Sequence, residues 1–462
     1  MCIRDRPEAT AQTDTFWIHN RHVPLKEKES ALDDLLAQLR KVPAFNVIIK
    51  TAEILITGYI PTTADKDKSK FDFGPMNTTF SANHLEGFRM RVGGMTTANL
   101  NPHWFGSGYL AYGVNDRKLK YNAKLTYSVN KKKYHEGESP VNNISAIQEY
   151  DVYTPGQDFL FTSKDNMFVA WKVGEPVTMM QYIRKTMLQY QKEWLNGLTL
   201  TTWARNENNE AAGTLRYDRY DADGTLTNLK SFTNTELGTQ LRFAPGERAY
   251  NGREGKNSLF NLSKDAPVFK LSHQMGLKNV LGSDFNYNHT EISAEKRIWL
   301  SSFGHIDALV TAGKVWDKVP FPLLIMPNTN QSITIQPQAF NMMRALEFVS
   351  DQYVSFYFTY YMKGWILNRI PGVKWLRLRE VISFSGFYGG LTDKNNPALD
   401  PTGLYRFPEG TSPMGRTPYL EASVGLENIF KILRIDYYRR LTYLDQPNIK
   451  KGGVRIALRF SF

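Results

Sequence analysis

The last eleven residues of the chain, GGVRIALRFSF (452–462), decide the fold. From Arg455 onward every second residue is large and apolar, and the residues between are small or cationic. A period of two is typical of a β-strand, whose side chains point alternately to its two faces. An apolar face backed by arginines suits a wall between lipid and water. A half-buried strand of a soluble β-sandwich has the same pattern, so the choice depends on whether the pattern repeats.

The alternation recurs from Phe80 onward and is clearest in Leu119–Asn130. Segments of about ten residues suit strands that cross a bilayer at a tilt. Sixteen strands are predicted: Leu85–Gly93, Phe105–Val114, Leu119–Asn130, Ile144–Tyr153, one within Asp158–Val173, Val177–Tyr190, Trp194–Arg205, Phe232–Phe243, Val268–Lys278, Tyr287–Leu300, His305–Trp316, Tyr353–Gly364, Lys374–Tyr388, Tyr419–Asn428, Ile432–Tyr443 and Gly453–Phe462.

The predicted connections alternate in length along the chain. The long ones include 206–231, 317–352, 389–418 and 444–452, and the short ones include 115–118, 154–157, 191–193, 301–304 and 429–431. Two connections break this rule, 244–267 and 174–176. Long loops at one end and short turns at the other are typical of membrane barrels. The sequence therefore predicts an all-β fold, a transmembrane antiparallel β-barrel of about 16 strands over residues 80–462.

The amino-terminal part differs from the rest. Residues 1–6 fit no structural element and are interpreted as a sequence artefact, which would leave any signal peptide missing. Residues 7–70 are predicted to be a short helical segment and linker, periplasmic or at the barrel mouth. Apolar residues follow helical spacing in Glu27–Arg40 and Asn46–Tyr59.

Composition narrows the functional classes. Lysine plus arginine is 57 and aspartate plus glutamate 45, a net charge of +12. The charge is scattered, and no nucleic-acid-binding motif accompanies it, so no nucleic acid is predicted as a partner. The single cysteine, Cys2, excludes a disulfide framework. No apolar run reaches the roughly 18 residues that a membrane-spanning helix needs.

The predicted barrel carries candidate functional residues but no enzyme motif. Lys120, Lys124, Arg455 and Arg459 alternate onto the side of the presumed lumen. The terminal aromatic residues Phe460 and Phe462 are a candidate barrel-insertion signal, read by the barrel-assembly machinery during biogenesis. The chain has no Gly-x-Ser-x-Gly motif or phosphate loop. We therefore predict no catalytic residue, metal or cofactor, and no enzymatic activity.

One charged group near the first predicted strand is ambiguous. Glu86 alternates with Arg89 and Arg91 instead of sharing their face, so the three are not expected to form one cluster. They could belong to a gate or seam, but solvated charges on the barrel wall are the simpler interpretation.

Several short runs carry a family resemblance: NHLEGFR (83–89), YG (112–113), Asp116 with KY (120–121), FVSD (348–351), NRIP (368–371) and LRLR (376–379). With these, residues 15–462 resemble an uncharacterised family of Gram-negative outer-membrane proteins. That resemblance implies a carboxypeptidase-regulatory-like domain ahead of the barrel in full-length members. The carboxyl half more distantly resembles the bacterial surface antigen barrels, which insert or translocate proteins. The long loop lacks their Val-Arg-Gly-aromatic tetrapeptide, which argues against an insertase mechanism.

Three hypotheses follow for function. The first is a non-enzymatic outer-membrane protein that helps assemble, export or display envelope components, with lipid and other envelope proteins as partners. The second is a passive or selective pore, motivated by the cationic residues that face the presumed lumen. The third is a barrel-borne hydrolase, which would need convergent Asp, His or Ser side chains at one rim.

Overall fold

The computed structural model describes residues 58–63, 65, 68–160, 162–169, 171–173, 177–247, 249–251, 259–261, 265–447 and 449–458. In this part of the chain sixteen strands form one antiparallel meander. They are β1 (in two pieces, Phe71–Phe73 and Phe80–Asn83), β2 (Gly87–Thr96), β3 (Trp104–Gly113), β4 (Leu119–Ser128), β5 (Asn142–Tyr153), β6 (Met179–Glu193), β7 (Leu198–Gly213), β8 (Ser231–Phe243), β9 (Val268–Gly276), β10 (Tyr287–Trp299), β11 (His305–Val315), β12 (Gln352–Tyr361), β13 (Arg379–Gly390), β14 (Tyr419–Ile429), β15 (Leu433–Arg440) and β16 (Gly452–Leu458).

Each strand pairs antiparallel with the next one in the chain. The predicted all-β barrel of about 16 strands is therefore confirmed. Shorter strands lie in the connections: Ile60–Pro61, Tyr217–Tyr220 with Leu226–Leu229, Ala249–Asn251 with Leu259–Asn261, and Phe348–Val349 with Ser412–Pro413. The 3₁₀ turns are Met76–Thr78, Val280–Gly282, Ser301–Phe303, Phe321–Leu323, Leu367–Arg369, Val373–Leu376 and Asp393–Asn395.

The two faces of the sheet have inverted polarity compared with a soluble protein. On β15 the buried residues include Arg434, Asp436 and Arg440, whereas Ile435 and Tyr437 are exposed. The other strands of the meander likewise expose large apolar side chains on the face that we call the outer face. A soluble sandwich buries its apolar face, so this arrangement excludes that alternative and fits a wall bounded by lipid.

Connections of different length lie at the two ends of the meander. One end, the long-loop rim, carries 154–178, 214–230, 277–286, 316–351, 391–418 and 441–451. The other end, the short-loop rim, carries 97–103, 129–141, 194–197, 244–267, 300–304, 362–378 and 430–432.

The longest connection folds back onto the inner face of the sheet. We call its residues 324–350 the plug; among residues 321–351 only Pro337 is exposed. Phe340, Met343 and Phe348 of the plug form an apolar cluster with Phe387 of β13 and Tyr419 of β14. The plug therefore packs against the strands at the carboxyl-terminal end of the meander.

The sequence prediction of individual strands was wrong in two places. The described residues of 158–173 contain no strand, only a single bridge between Lys172 and Ser332. The strand β1 was missed, because Gly74-Pro75 and a 3₁₀ turn divide it and its alternation is too short to detect. The two errors compensate each other in the total of sixteen.

The falsely predicted strand within 158–173 also placed the early loops at the wrong end of the meander. Connections 115–118 and 154–157 were predicted on the short-loop side, but both lie at the rim that carries 316–351. One false strand reverses the direction of every strand before it, which explains this error.

Several predictions lie outside the described residues. These are the artefact 1–6, the helix Glu27–Arg40, the helix Asn46–Tyr59 except its last two residues, and the terminal residues Arg459, Phe460 and Phe462. They stay predictions.

None of the helices in the described part of the chain is long and apolar enough to cross a membrane.

Candidate functional site

Two carboxylates on the inner face hold the plug against the sheet. Glu421 of β14 accepts hydrogen bonds from the backbone N–H groups of Asn341 (2.9 Å) and Met342 (2.9 Å). Glu347 of the plug forms a bidentate ion pair with Arg440 of β15, at 2.6 and 3.0 Å, and both side chains are fully buried. The alternation of the strands aims both Glu421 and Arg440 inward, and each fixes one part of the plug.

Arg455 of β16 adds a third contact with the plug. Its guanidinium donates to the carbonyl oxygen of Asn341 at 2.6 Å, and the side chain is 4% exposed. Glu421 and Arg455 therefore bind the N–H and the carbonyl group of the same plug residue. Arg455, which the sequence predicts to face a lumen, contacts the plug here.

The plug also pairs with the free edge of the last strand. Ile456 of β16 donates its backbone N–H to Ile333 at 2.9 Å, and Ile335 donates to the carbonyl of Ile456 at 2.8 Å. This is the edge of β16 that faces away from β15. On the other side of the plug segment, Ile333 donates to Trp171, and Val173 donates to Gln331, at 2.8 and 3.0 Å.

The first strand has partners of its own. Ile60–Pro61 pairs with the first piece of β1, and Met167 donates to the carbonyl of Asn77 within the break of β1 at 2.9 Å. We call the outer edges of β16 and β1, the two end strands of the meander, together the seam. Within the described residues no ladder joins these two strands; the plug covers the edge of β16 at Ile456, and Ile60–Pro61 and Met167 contact β1.

A buried ion cluster ties the connection 154–178 of the long-loop rim to the first strands of the meander. Arg89 of β2 contacts Glu86 (2.8 Å), Asp151 (2.7 Å) and Asp165 (3.1 Å), and its side chain is fully buried. The prediction that Glu86 and Arg89 do not cluster was wrong. Glu86 lies in the turn before β2, so the alternation of the strand does not determine its direction.

Asp165 is the member of this cluster that lies in the connection 154–178. Burial raises the pKa of the Asp165 carboxyl, but Lys164 and Arg89 lower it more, so the pKa lies below its ordinary value of 3.8. Arg91 also contacts Asp165 at 2.8 Å. The ion pairs therefore hold this loop against β2 as long as Asp165 is ionised.

The predicted lumen lysines differ in their surroundings. Lys120 of β4 is fully buried and contacts Asp116 at 2.5 Å and Glu86 at 2.7 Å. Lys124 contacts Glu136 at 2.6 Å and is partly exposed. Both lie on the polar face of β4, and each already has a carboxylate partner.

Sequence reasoning missed Glu347, Glu421 and Arg440. Two signals were available: acidic and basic residues at inward positions of β14 and β15, and the position of Glu347 directly before the run FVSD (348–351). Neither signal shows that the plug brings these residues together. Among the described residues, no group of three or more His, Cys, Asp or Glu side chains could hold a metal ion.

Comparisons with known proteins identify a family and a fold. The family model described as "Family of unknown function (DUF5686) C-terminal domain" matches residues 52–395. A comparison with curated protein sequences found no significant match. The amino-terminal carboxypeptidase-regulatory-like domain stays a prediction.

Solved structures with similar folds include BamA from Haemophilus ducreyi lacking POTRA domains 1-3, with a TM-score of 0.50 and 10% identity over 89% of this chain and 78% of that chain. CdiB from Escherichia coli matches with a TM-score of 0.45 and 10% identity, over 80% of this chain and 59% of that chain. CdiB from Acinetobacter baumannii matches with a TM-score of 0.39 and 12% identity, over 87% and 65%. At these identities the likeness to BamA concerns the fold alone.

Proposed function

This chain belongs to the family of unknown function DUF5686, as its C-terminal domain, and on that premise we propose that it is an outer-membrane barrel that helps assemble, export or display other envelope components. The inverted polarity of the sheet supports the membrane location, since apolar residues cover the outer face and ion pairs line the inner face. Outer-membrane lipid and other envelope proteins are the partners in this proposal.

The proposed role in envelope assembly rests on how the edge of β16 is covered. An unpaired strand edge presents N–H and C=O groups that another strand can bind. In this protein the plug covers that edge at Ile456, whose N–H group donates to Ile333 and whose carbonyl group accepts from Ile335. A loop segment can withdraw at lower cost than a full barrel strand, because it gives up fewer ladder bonds. Withdrawal of the plug would let the edge pair with a strand of a client protein.

A disulfide across this contact tests the role. Thr334 and Ile456 are Cα partners in the bridge between plug and β16, so the double variant T334C/I456C in a Cys2→Ser background should lock the plug in place. We expect cells that depend on the locked variant to lose surface or outer-membrane proteins, and reducing agent to restore them. The control pair I298C/I306C joins β10 to β11 at ladder partners away from the seam.

Two outcomes would contradict the proposal. One is a locked variant that supports normal levels of surface and outer-membrane proteins. The other is depletion of the whole protein without any change in those levels.

The packing of the plug disfavours the pore hypothesis. The plug packs against β12 to β16 with only Pro337 exposed, and Lys120 already has carboxylate partners. We expect no steady conductance from the purified protein in planar bilayers. A stable ohmic current from the unmodified chain would favour the pore. A hydrolase activity stays a prediction. No cluster of side chains among the described residues supports it.

A further inference from the structure

A cavity of about 300 Å³ lies at the long-loop rim where four connections, 154–178, 316–351, 391–418 and 441–451, meet β16. Arg344 of the plug, Lys450 of the connection 441–451 and Arg455 of β16 contribute cationic side chains to its lining. Apolar side chains, including Met342 and Ile449, form part of the remaining wall. The cavity is thus both cationic and partly apolar, and it lies next to the seam.

The two arginines have hydrogen-bond donors that no described group satisfies. The guanidinium of Arg455 donates only to the carbonyl oxygens of Val454 (3.1 Å) and Asn341 (2.6 Å), and its buried Nε atom has no hydrogen-bond partner. Arg344 makes no side-chain hydrogen bond or ion pair with the described residues, and its Nε atom is buried as well. The two terminal nitrogens of the Arg344 side chain lie near Gly410. A Cβ atom added to this glycine would be 3.6 and 3.9 Å from them.

Nearby carboxylates balance only part of this positive charge. Glu409 is the one carboxylate among the described lining residues, and it is exposed and forms no ion pair with them. Glu421 lies outside the lining but close enough to Arg455 for a favourable electrostatic interaction, and its oxygens accept hydrogen bonds from the backbone of Asn341 and Met342. Among the described residues, Lys450 donates only to the carbonyl oxygen of Val173. Buried donors without acceptors destabilise a folded protein unless a ligand supplies the acceptors.

We propose that this cavity is a binding site for a phosphate group. A guanidinium binds phosphate through two parallel N–H···O bonds, and an ammonium adds a point charge. Two guanidinium groups and one ammonium group outnumber the two nearby carboxylates, Glu409 and Glu421, and a phosphate group supplies both further negative charge and acceptor oxygens. The bound phosphate would connect the plug, through Arg344, to β16, through Arg455.

The phosphate could be free or belong to a lipid headgroup, and the apolar part of the wall suits an attached acyl chain. The proposal concerns binding and does not depend on the role in envelope assembly. It does predict a consequence at the seam, because a ligand that contacts both the plug and β16 stabilises their contact.

Calorimetric titration of the detergent-purified chain tests the proposal. The probes are inorganic phosphate and short-chain phosphatidic acid in neutral detergent micelles, with sodium chloride and phosphatidylcholine as references. We expect saturable binding of at least one phosphate probe. Arg344→Gln should weaken it about tenfold, as removal of one charge-assisted contact does, and Glu409→Gln should strengthen it by removing a competing carboxylate.

Matched variants keep the test independent of folding. Arg416→Gln removes an exposed arginine of the same rim, outside the cavity lining, and should leave the affinity unchanged. Lys450→Gln changes an exposed side chain and should weaken binding without lowering the melting temperature of the free protein. Binding of inorganic phosphate identifies a free anion as sufficient, and binding of phosphatidic acid alone identifies a lipid headgroup. Absence of binding by both probes, or equal affinities for Arg344→Gln and Arg416→Gln, would overturn the proposal.

Discussion

At the scale of single residues, the ion pair between Glu347 and Arg440 is one of the contacts that hold the plug on the inner face. Both side chains are fully buried. A buried pair contributes little compared with an apolar pair, but loss of one partner leaves an uncompensated charge. The pair therefore specifies the position of the plug more than it adds to the overall stability.

Glu347→Gln should destabilise the docked plug by about 3–5 kcal/mol, because Arg440 then stays buried without a counter-charge. Limited proteolysis of the plug in detergent measures this change as faster cleavage within residues 324–350. The matched control is Asp400→Asn, which removes an exposed ion pair with Lys318 at 2.7 Å and should change stability by less than about 1 kcal/mol. Equal proteolysis rates for the two variants would show that the buried pair does not hold the plug.

Asp165 makes the docking of the connection 154–178 depend on pH. Its pKa in the folded protein lies below the ordinary 3.8, so its contribution is complete above that value and is lost as the pH falls through the lower folded pKa. Fluorescence of the exposed Trp171 in the same loop should therefore stay constant from pH 7 to about 4 and change below that range.

Asp165→Asn should release the loop already at pH 7, because the amide cannot balance Arg89 and Arg91. A transition of the wild-type protein near neutral pH, or an unchanged spectrum of the variant, would contradict this explanation.

At the scale of secondary-structure elements, the sequence predicted every strand of the meander except the first. From β2 to β16 the predicted segments overlap the observed ones, because large apolar residues alternate with polar or small residues along most of these strands. In β1 the pieces have three and four residues, which is too short for a period of two to appear. The segment 158–173 that was predicted as a strand contains apolar residues such as Phe159, Leu160 and Val169, which lie in a connection.

The functional contacts were harder to predict than the strands. Alternation shows that Glu421, Arg440 and Arg455 point inward, but it cannot show what they meet there. Their partners lie in the plug, whose irregular backbone has no period to detect. Pairing between plug and β16 depends on the course of a long loop, which composition and hydropathy do not determine.

The pairing of the plug with β16 can be tested by removing one hydrogen bond. Ile335→Pro lacks the N–H group that donates to Ile456, so the contact should weaken and hydrogen exchange at the Ile456 amide should accelerate. Ile335→Ala keeps the N–H group and should exchange at a rate close to wild type. Equal protection of Ile456 in both variants would mean that the edge of β16 has another partner.

At the scale of the whole molecule, the structure separates a lipid-type surface from a charged interior. Side chains of opposite polarity alternate along the strands, so one wall satisfies both environments. The plug and the connection 154–178 occupy the edges of β16 and β1 within the described residues. The protein therefore combines a membrane-type wall with a seam that the plug and short segments, not long strands of the meander, cover within the described residues.

The central claim, that the outer face contacts lipid, is tested most directly by comparing a spin label on the outer face of β14 with a spin label in the long-loop rim. In a Cys2→Ser background, a label at Val424, which is 65% exposed on the outer face, is compared with a label at Lys394 in the long-loop rim. In reconstituted vesicles we predict that the label at Val424 is accessible to oxygen and protected from a water-soluble nickel complex. The label at Lys394 should be accessible to the nickel complex and less accessible to oxygen. Equal access of the nickel complex to both labels would contradict the account, because Val424 would then face water.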